Sequence, residues 1–377
     1  MDTQKRIDLI KHNTEEVMTE EDLRILIESG LPIKHYIGFE ISGKPHLGHG
    51  LVCMSKVKDF VDAGIDCTIF LADWHTWINN KLGGDREIIK QVAVNYFKEA
   101  LIAAYKCVGG EPSDLKFVMG SDLYHKNDKY WETVIDISKN ITLGRIERSI
   151  TIMGRKEGES VDFAKLIYPP MQVADIFIMG INMPHAGLDQ RKAQVIARDC
   201  ALKLSISPLI GKDGQKIKPV AIHGHLILGL QKPPVWPVPK EKLQELWSQM
   251  KMSKSIPNSA IYMTDNEEEV NKKIKNAFCP EGDVDFNPLL DWAKYIVFIN
   301  SHSKLEILRP EKFGGNKTYH SYDELVKDFA EKQLHPMDLK QAMAKKLNEI
   351  LAPAREHFSD HHRKKMKEEM EKLIITR

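Results

Sequence analysis

The sequence predicts an α/β chain: a Rossmann-like, doubly wound parallel sheet with a helical insertion, followed by a C-terminal α-helical domain. Three observations carry that prediction. Short apolar runs, HYIGFE (35–40), CTIFLAD (67–73) and LKFVMGS (115–121), alternate with stretches whose apolar residues recur at helical spacing, as strands joined by crossover helices do. A glycine- and histidine-rich turn, SGKPHLGHG (42–50), directly follows the first run, at the carboxyl end of a strand where such sheets bind ligands. Beyond about residue 268 helical spacing dominates, through a tail reading HHRKKMKEEMEKL.

Residues 19–29, TEEDLRILIES, form a short helix with Thr19 as cap and Asp22 three residues on. Apolar Leu23, Ile25, Leu26 and Ile27 follow, and Gly30 is the stop. HYIGFE is the next strand. Leu47, Leu51, Met54, Val57 and Val61 mark a helix running to Gly64, and residues 85–108 mark another. Residues 131–165 carry a helical pattern with Lys139, Arg145, Arg148, Arg155 and Lys156, an insertion between two halves of the sheet. LIYPPMQVADIFIMG (166–180) predicts a buried helix opened by its prolines. HAGLDQRK (185–192) reads as a turn before another helix, and residues 217–228 as a strand leading to a loop. The proline-dense QKPPVWPVPK (231–240) is irregular, a linker or surface insertion ahead of KMSKS (251–255). The chain thus divides into a sheet-containing domain, 1–267, with its insertion at about 122–165, and a smaller helical domain, 268–377.

At 377 residues the chain exceeds one average domain. A net charge of +1 excludes a global attraction to nucleic acid or membrane, so any RNA site is a local basic patch. The longest apolar runs, such as CTIFLA and YIVFI, fall far short of the roughly 20 residues of a membrane span, and no membrane partner is expected. MDTQKRIDLIKHNTEE is too charged for a signal peptide, and acidic where a transit peptide is not. Cys53, Cys67, Cys107, Cys200 and Cys279 are scattered without a C-x-x-C pair. That argues against a disulfide framework or zinc site and for a reducing, cytoplasmic setting.

A helix N-terminus behind a glycine-rich turn binds anions through its free N–H groups and the positive end of the helix dipole. His46 and His49, one turn apart, add hydrogen bonds to phosphate oxygens, and the glycines let a nucleotide lie close to the backbone. KMSKS supplies Lys251 and Lys254 between small hydroxyl residues, with Pro257 close behind. Such a loop closes over a triphosphate and neutralises charge in phosphoryl or nucleotidyl transfer. Either motif alone also describes an ordinary solvated loop. Both together, in this order and about one nucleotide-binding domain apart, are specific.

At these residues the sequence resembles the class I aminoacyl-tRNA synthetases, whose signatures are an H-x-G-H turn and a K-M-S-K-S loop. More narrowly it is similar to the tyrosyl-tRNA synthetases of the archaeal and eukaryotic type. The resemblance covers most of the chain: YIGFE-SGK-HLGH (36–49), LAD-H (71–75), YP-MQ-AD (168–175), G-DQRK (187–192), KMSKS, RPEKFGG (309–315) and HPMDLK (335–340). It implies a class I catalytic domain at 1–267 and an anticodon-binding domain at 268–377. It implies that ATP is held by Gly38, His46, Gly48, His49, Lys251, Ser253 and Lys254, with the two histidines on its phosphates and the two lysines stabilising the transition state. Tyr168, Gln172 and Gln190 then hold the tyrosine ammonium, and Tyr36 and Asp175 its phenol. The last pair has a physical logic: a buried carboxylate and a phenol bond the substrate hydroxyl, and phenylalanine leaves both unpaired.

The implied reaction is attack by the tyrosine carboxylate on the α-phosphorus of ATP, expelling pyrophosphate, then transfer of tyrosine to the 3′ end of tRNA(Tyr). Mg²⁺ accompanies the triphosphate, and no protein metal site is expected. Arg148 and Arg191 are implied at the first base pair of the acceptor stem, and Phe313, His335 and Asp338 at the anticodon, where an aromatic stacks on an unstacked base. Family members are homodimers, which points to residues 110–165 as the interface. His185, His223 and His225 read as packing or surface residues, and the charged tail as a solvated helix or a contact to RNA backbone.

The stretch from about Gln231 to Met250 is longer than the archaeal type leads one to expect, and Ile41 stands where proline is expected. A tryptophanyl-tRNA synthetase is the alternative with the same fold and signatures; Tyr36 and Asp175 favour a phenol. A small-molecule adenylyltransferase lacks a reason for the helical domain with HPMD and for the full KMSKS. A non-catalytic RNA-binding relative predicts a damaged signature, yet His46, His49, Lys251 and Lys254 are all present.

Overall fold

A computed structural model describes residues 1–254, 256–300 and 302–373. Its central sheet has six strands: β1 (Thr14–Met18), β2 (Lys34–Phe39), β3 (Asp66–Leu71), β4 (Lys116–Met119), β5 (Met183–Gly187) and β6 (Ala221–Gly224), in the order β1-β6-β5-β2-β3-β4. β2 runs parallel to β3 and β5, β3 to β4, and β5 to β6, while β1 closes one edge antiparallel to β6. The chain winds outward through β2, β3 and β4, then returns to start β5 on the other side of β2. Such a reversal leaves a crevice at the carboxyl ends of the two central strands. Gly38 is exposed there, between the buried Ile37 and Phe39, so bare backbone floors the crevice.

The helices that frame the site are α1 (Cys53–Asp62), α2 (Val94–Cys107), α3 (Asp128–Lys139), α4 (Phe163–Ile178), α5 (Arg191–Ala201), α6 (Pro336–His357) and α7 (His361–Glu371). One apolar core runs from Ile37, Leu51, Phe97 and Leu101 into Leu289, Trp292, Leu347 and Leu351 of the C-terminal region. Each fully buried aliphatic side chain contributes about 1.5–3 kcal/mol, so this shared core fastens the helical region to the sheet layer, with α6 against α2. A second core, including Tyr36, Phe70, Tyr130, Met171 and Ile176, joins the other face of the sheet to α3 and α4.

Several expected elements differ. α4 does not open at its prolines: Asp162 caps it by accepting from Lys165 N, and Pro169 and Pro170 lie about two turns inside. HAG is not part of a turn but the end of β5, whose Pro184 disguises it as a breaker. The insertion is not helical throughout, since residues 154–162 are irregular between Ile150–Met153 and α4. A two-stranded hairpin, β7 (Leu305–Ile307) with β8 (Lys317–Tyr319), interrupts the helical C-terminal region. The tail is solvated on one face, where His361, His362, Lys364 and Lys365 are exposed, and packed on the other. Arg363 and His357 share Glu99 of α2 at 2.7 and 2.8 Å, and Lys367 donates to Thr264 O. The proline-dense stretch runs into a helix, Leu243–Met250, and builds a small core of Leu228, Leu246, Met250 and Phe286, flanked by Trp236 and Trp247. Among the described residues no helix is long and apolar enough to cross a membrane.

Candidate active site

The turn after β2 brings the two signatures together. Residues 260–265 pair back onto it: Leu47 N donates to Ile261 O, Met263 N donates to Pro45 O, and His46 bridges to Tyr262. Gly48–Val52 forms a π-helical turn before α1. A Cβ on Gly48 would sit 3.0 Å from the His46 ring, and one on Gly50 would lie 2.3 Å from Met263 Sδ, so a side chain at either position would push against His46 or Met263. The sequence reading expected free N–H groups here. Instead those of Leu47, Gly48 and Gly50 are bonded within the chain, to Ile261 O, His46 Nδ1 and His46 O. The side chains of this turn therefore stand beside fewer open amides than a bare helix N-terminus offers.

Those side chains are well poised. Gly48 N donates to His46 Nδ1 at 3.1 Å, which puts the proton of the neutral ring on Nε2. The His46 and His49 rings stack with centroids 4.1 Å apart, and Phe39 meets His49 edge-on. Burial first, then Lys254 and Lys251, holds His46 well below its ordinary value. For His49 the causes are burial, then His46 and the same lysines. Both rings are therefore neutral N–H donors, able to donate to an anion without first losing a proton.

The KMSKS segment lies closed over this turn; its Ser255 falls outside the described residues. Lys254 Nζ donates to Ser42 Oγ at 3.0 Å and sits 5.1 Å from the centre of the Phe97 ring. Burial brings its ammonium down to about 7, with Glu40 opposing. Lys251 pairs with Asp189, in the turn after β5. Ser253 stands between the two lysines. Ile41, in the place where proline is expected, donates its N–H to Thr76 Oγ1 at 2.8 Å, a bond proline cannot make.

On the far side of the crevice the residues expected at the amino acid lie close together. Asp175, 1% exposed on α4, accepts from the phenols of Tyr124 and Tyr130 at 3.0 and 3.1 Å, both through Oδ1. His75 Nε2 lies 3.9 Å from its Oδ2. Burial pushes this carboxyl well above the usual carboxylate range, against the pull of the two phenols. Tyr36 is buried on β2, edge-on to Phe70, and burial followed by the Asp175 charge pushes its phenol up. Gln172 Nε2 donates to Gln190 Oε1 at 3.2 Å, and Gln190 Nε2 donates to Ile152 O. Tyr168 donates to Glu40 Oε1 at 2.8 Å.

Glu40 was missed by the sequence reading. It directly follows β2, accepts from Tyr168 and from Asn79 Nδ2, and is pushed up by burial. It is therefore a half-buried, hydrogen-bonded carboxylate in the crevice. Tyr124, Tyr130 and His75 were likewise missed as pocket residues. The signal for Glu40 and His75 was present, since both lie in the quoted YIGFE and LAD-H runs; Tyr124 and Tyr130 carry none.

The remaining expected residues lie elsewhere. Arg148 is exposed, its carbonyl accepting from Lys192. Arg191 is held by Glu16 of β1 in a forked ion pair, Nε–Oε2 2.8 Å. Phe313 is 62% exposed beside the β7–β8 hairpin. His335 caps α6 by accepting from Met337 N, and Asp338 in the first turn lies 3.9 Å from Arg309. His225 is a packing residue: it bridges Glu15 and Asp291 at 2.7 Å each.

A model of class I tRNA synthetases (W and Y) matches residues 28–352. The tyrosine–tRNA ligase of Thermococcus gammatolerans is 57% identical over 96% of each chain. The crystal structure of tyrosyl-tRNA synthetase complexed with L-tyrosine from Pyrococcus horikoshii superposes with a TM-score of 0.96 at 52% identity, covering 99% of this chain and 100% of that one. A Plasmodium falciparum tryptophanyl-tRNA synthetase, 19% identical over 98% of this chain and 95% of its own, reaches a TM-score of 0.67 and shares the fold alone. The crevice with its paired signatures and these matches over almost the whole length agree: the chain belongs to the class I tRNA synthetases of the W and Y family, on the tyrosyl side.

Proposed function

We infer that the chain catalyses ATP-dependent activation of L-tyrosine to tyrosyl-adenylate, with release of pyrophosphate, and transfers tyrosine to the 3′ end of tRNA(Tyr). The observation that carries this is the buried Asp175, surrounded by Tyr124, Tyr130 and His75 and facing Tyr36, at one end of a crevice whose other end holds two neutral histidines and Lys254. One end suits a phenol, the other a triphosphate. Tryptophan offers no hydroxyl to that carboxyl, and its indole N–H is a donor only.

The roles follow from chemistry. Tyr36 and Asp175 bond the substrate hydroxyl. Tyr168, Gln172 and Gln190 hold the ammonium, with Glu40 supplying the negative charge that a cation needs when it leaves water. The amino acid's carboxylate is then left facing the turn after β2. ATP arrives as its Mg²⁺ complex, the hard cation keeping phosphate and water oxygens, and lies over Gly38 and Gly48. His46 and His49 donate to its phosphates, and Lys251, Ser253 and Lys254 close from above. Catalysis is positioning and charge stabilisation, without a covalent enzyme intermediate. Incubation with labelled pyrophosphate, ATP and each of tyrosine, tryptophan and phenylalanine tests this: exchange with tyrosine alone is expected, and exchange driven by tryptophan overturns the pocket assignment.

Residues 1–267 act as the catalytic domain and 268–377 as the anticodon-binding domain, a division supported by the capping box of Asn266 that opens a new helix at Glu267. A second copy pairs through residues 110–165, where Ile135, Leu143 and Phe163 are 61%, 64% and 74% exposed. The five free cysteines suit the cytoplasm. Arg148 and Arg191 meet the acceptor end, Arg191 by exchanging Glu16 for phosphate or base. Phe313, His335 and Asp338 read the anticodon, Phe313 by stacking. Stacking of one base is worth about 1–3 kcal/mol, so Phe313→Ala is expected to lower kcat/KM for tRNA charging about 5- to 150-fold while leaving pyrophosphate exchange unchanged. Charging at the wild-type rate refutes that role.

A further inference from the structure

The segment Ile227–Leu230 is a shared strip of backbone. On one side it pairs with the signature loop: Met252 N donates to Ile227 O at 2.8 Å, Gly229 N donates to Met250 O at 2.7 Å, and Leu228 bridges to Lys251. On the other side the C-terminal region holds it. Leu228 N donates to Asp291 Oδ2 and Trp292 Nε1 donates to Leu228 O, each at 2.8 Å, while Phe278 N donates to Leu230 O. Asp291, Trp292 and Leu228 are all buried. The other oxygen of Asp291 meets His225 Nε2, whose Nδ1 meets Glu15. Tyr295 stacks flat on the His225 ring at 3.8 Å and donates to Glu15. Trp247, on the helix leading directly into KMSKS, donates to Leu226 O and packs edge-on to both His225 and Phe286.

Resting on the function inferred above, we propose that Asp291 and Trp292 are positioning residues for tyrosine activation. By gripping both polar atoms of the Leu228 backbone they fix the strip on which the 251–254 loop seats, so the C-terminal region sets the placement of Lys251 and Lys254 before any tRNA is bound. Neither residue is among those that line the crevice, and the strip reaches the reacting end through the loop, with Ile227 lying beside Gly48. A displacement of such a loop by a fraction of an ångström to one ångström costs transition-state contacts and not ground-state binding of the amino acid.

The test is tyrosine-dependent pyrophosphate exchange by full-length Asp291→Ala, Asp291→Asn and Trp292→Phe, each normalised to its tyrosine-binding sites counted by calorimetry. Asp291→Ala and Trp292→Phe are expected to lower kcat about 10- to 100-fold, with the KM for tyrosine within about twofold of wild type. Asp291→Asn, which keeps an acceptor for Leu228 N, is expected to recover most of that loss. Wild-type kcat per binding site in Asp291→Ala and Trp292→Phe, a rise in KM at constant kcat, or an asparagine variant as impaired as the alanine one overturns the proposal. Should Asp291→Ala not accumulate folded, Trp292→Phe and Asp291→Asn decide it. Wild-type chain without tyrosine-dependent exchange overturns the inferred function and this inference with it, whereas an active wild type with equal variants overturns this inference alone.

Discussion

Lys254→Ala is expected to lower the kcat of tyrosine-dependent pyrophosphate exchange by about 10²- to 10³-fold, the range found when one preorganised transition-state donor is removed, while tyrosine still binds. The ammonium is held over the turn after β2 by Ser42 Oγ and the face of Phe97. Both contacts are far weaker than those a triphosphate offers, so the group is placed for a charge that arrives with substrate. Its acidity makes a second, independent readout. Burial brings Lys254 to about 7, so above neutral pH the nucleotide-free protein holds it largely as the amine. A triphosphate favours the ammonium and raises that value. ATP binding between about pH 7 and 9 is thus expected to take up a proton, and apparent ATP affinity to fall as pH rises through that window. Calorimetry in two buffers of different ionisation enthalpy measures the uptake. None in the wild type, or the same uptake in Lys254→Ala, refutes the assignment.

How much of this was legible in the sequence follows from how local each signal is. β2, β3 and β4, the Thr19-capped helix and the two signature loops are local patterns of periodicity and turn chemistry, and they fall where the sequence places them. β5 was hidden by Pro184, because a strand between two others seldom contains a residue without an N–H. β1 was hidden by Glu15 and Glu16, which read as a charged terminus. Their carboxylates in fact face His225, His223 and Arg191 from the sheet edge. Part of the amide set expected at the H-x-G-H turn is taken up within the chain for a long-range reason: the partner of Leu47 N is Ile261, more than two hundred residues on.

Glu40 shows the same limit within the site. Its meaning comes from Tyr168 and Asn79 converging on it after folding. The role of Asp291 is less legible still. In sequence it is one acid in an unremarked helix, Pro288–Trp292; only the fold lays it against Leu228.

The second large effect concerns the other end of the crevice. Asp175→Ala is expected to lower kcat/KM for tyrosine in pyrophosphate exchange by about 10- to 10²-fold, the size of a hydrogen bond to a charged or strongly polar buried group at roughly 1.5–3 kcal/mol, and to leave the KM for ATP within about twofold. Phenylalanine, which has no hydroxyl to lose, is expected to be affected little, so discrimination between the two amino acids narrows by nearly the same factor. Tyrosyl-tRNA synthetases are themselves the standing illustration of this asymmetry between a hydroxyl and its absence, so the figure here is taken from hydrogen-bond energies alone. The geometry explains why the carboxyl discriminates. Its Oδ1 is fixed by Tyr124 and Tyr130, so it cannot turn to find another partner when the substrate lacks a hydroxyl. Burial makes the unpaired state costly. A structural role alone predicts otherwise: with Tyr124 and Tyr130 released into the pocket, tyrosine and phenylalanine would lose activity together, and ATP binding with them. Parallel exchange assays of wild type and Asp175→Ala on both amino acids separate the two, and an unchanged tyrosine-to-phenylalanine ratio rejects Asp175 as the residue that reads the phenol.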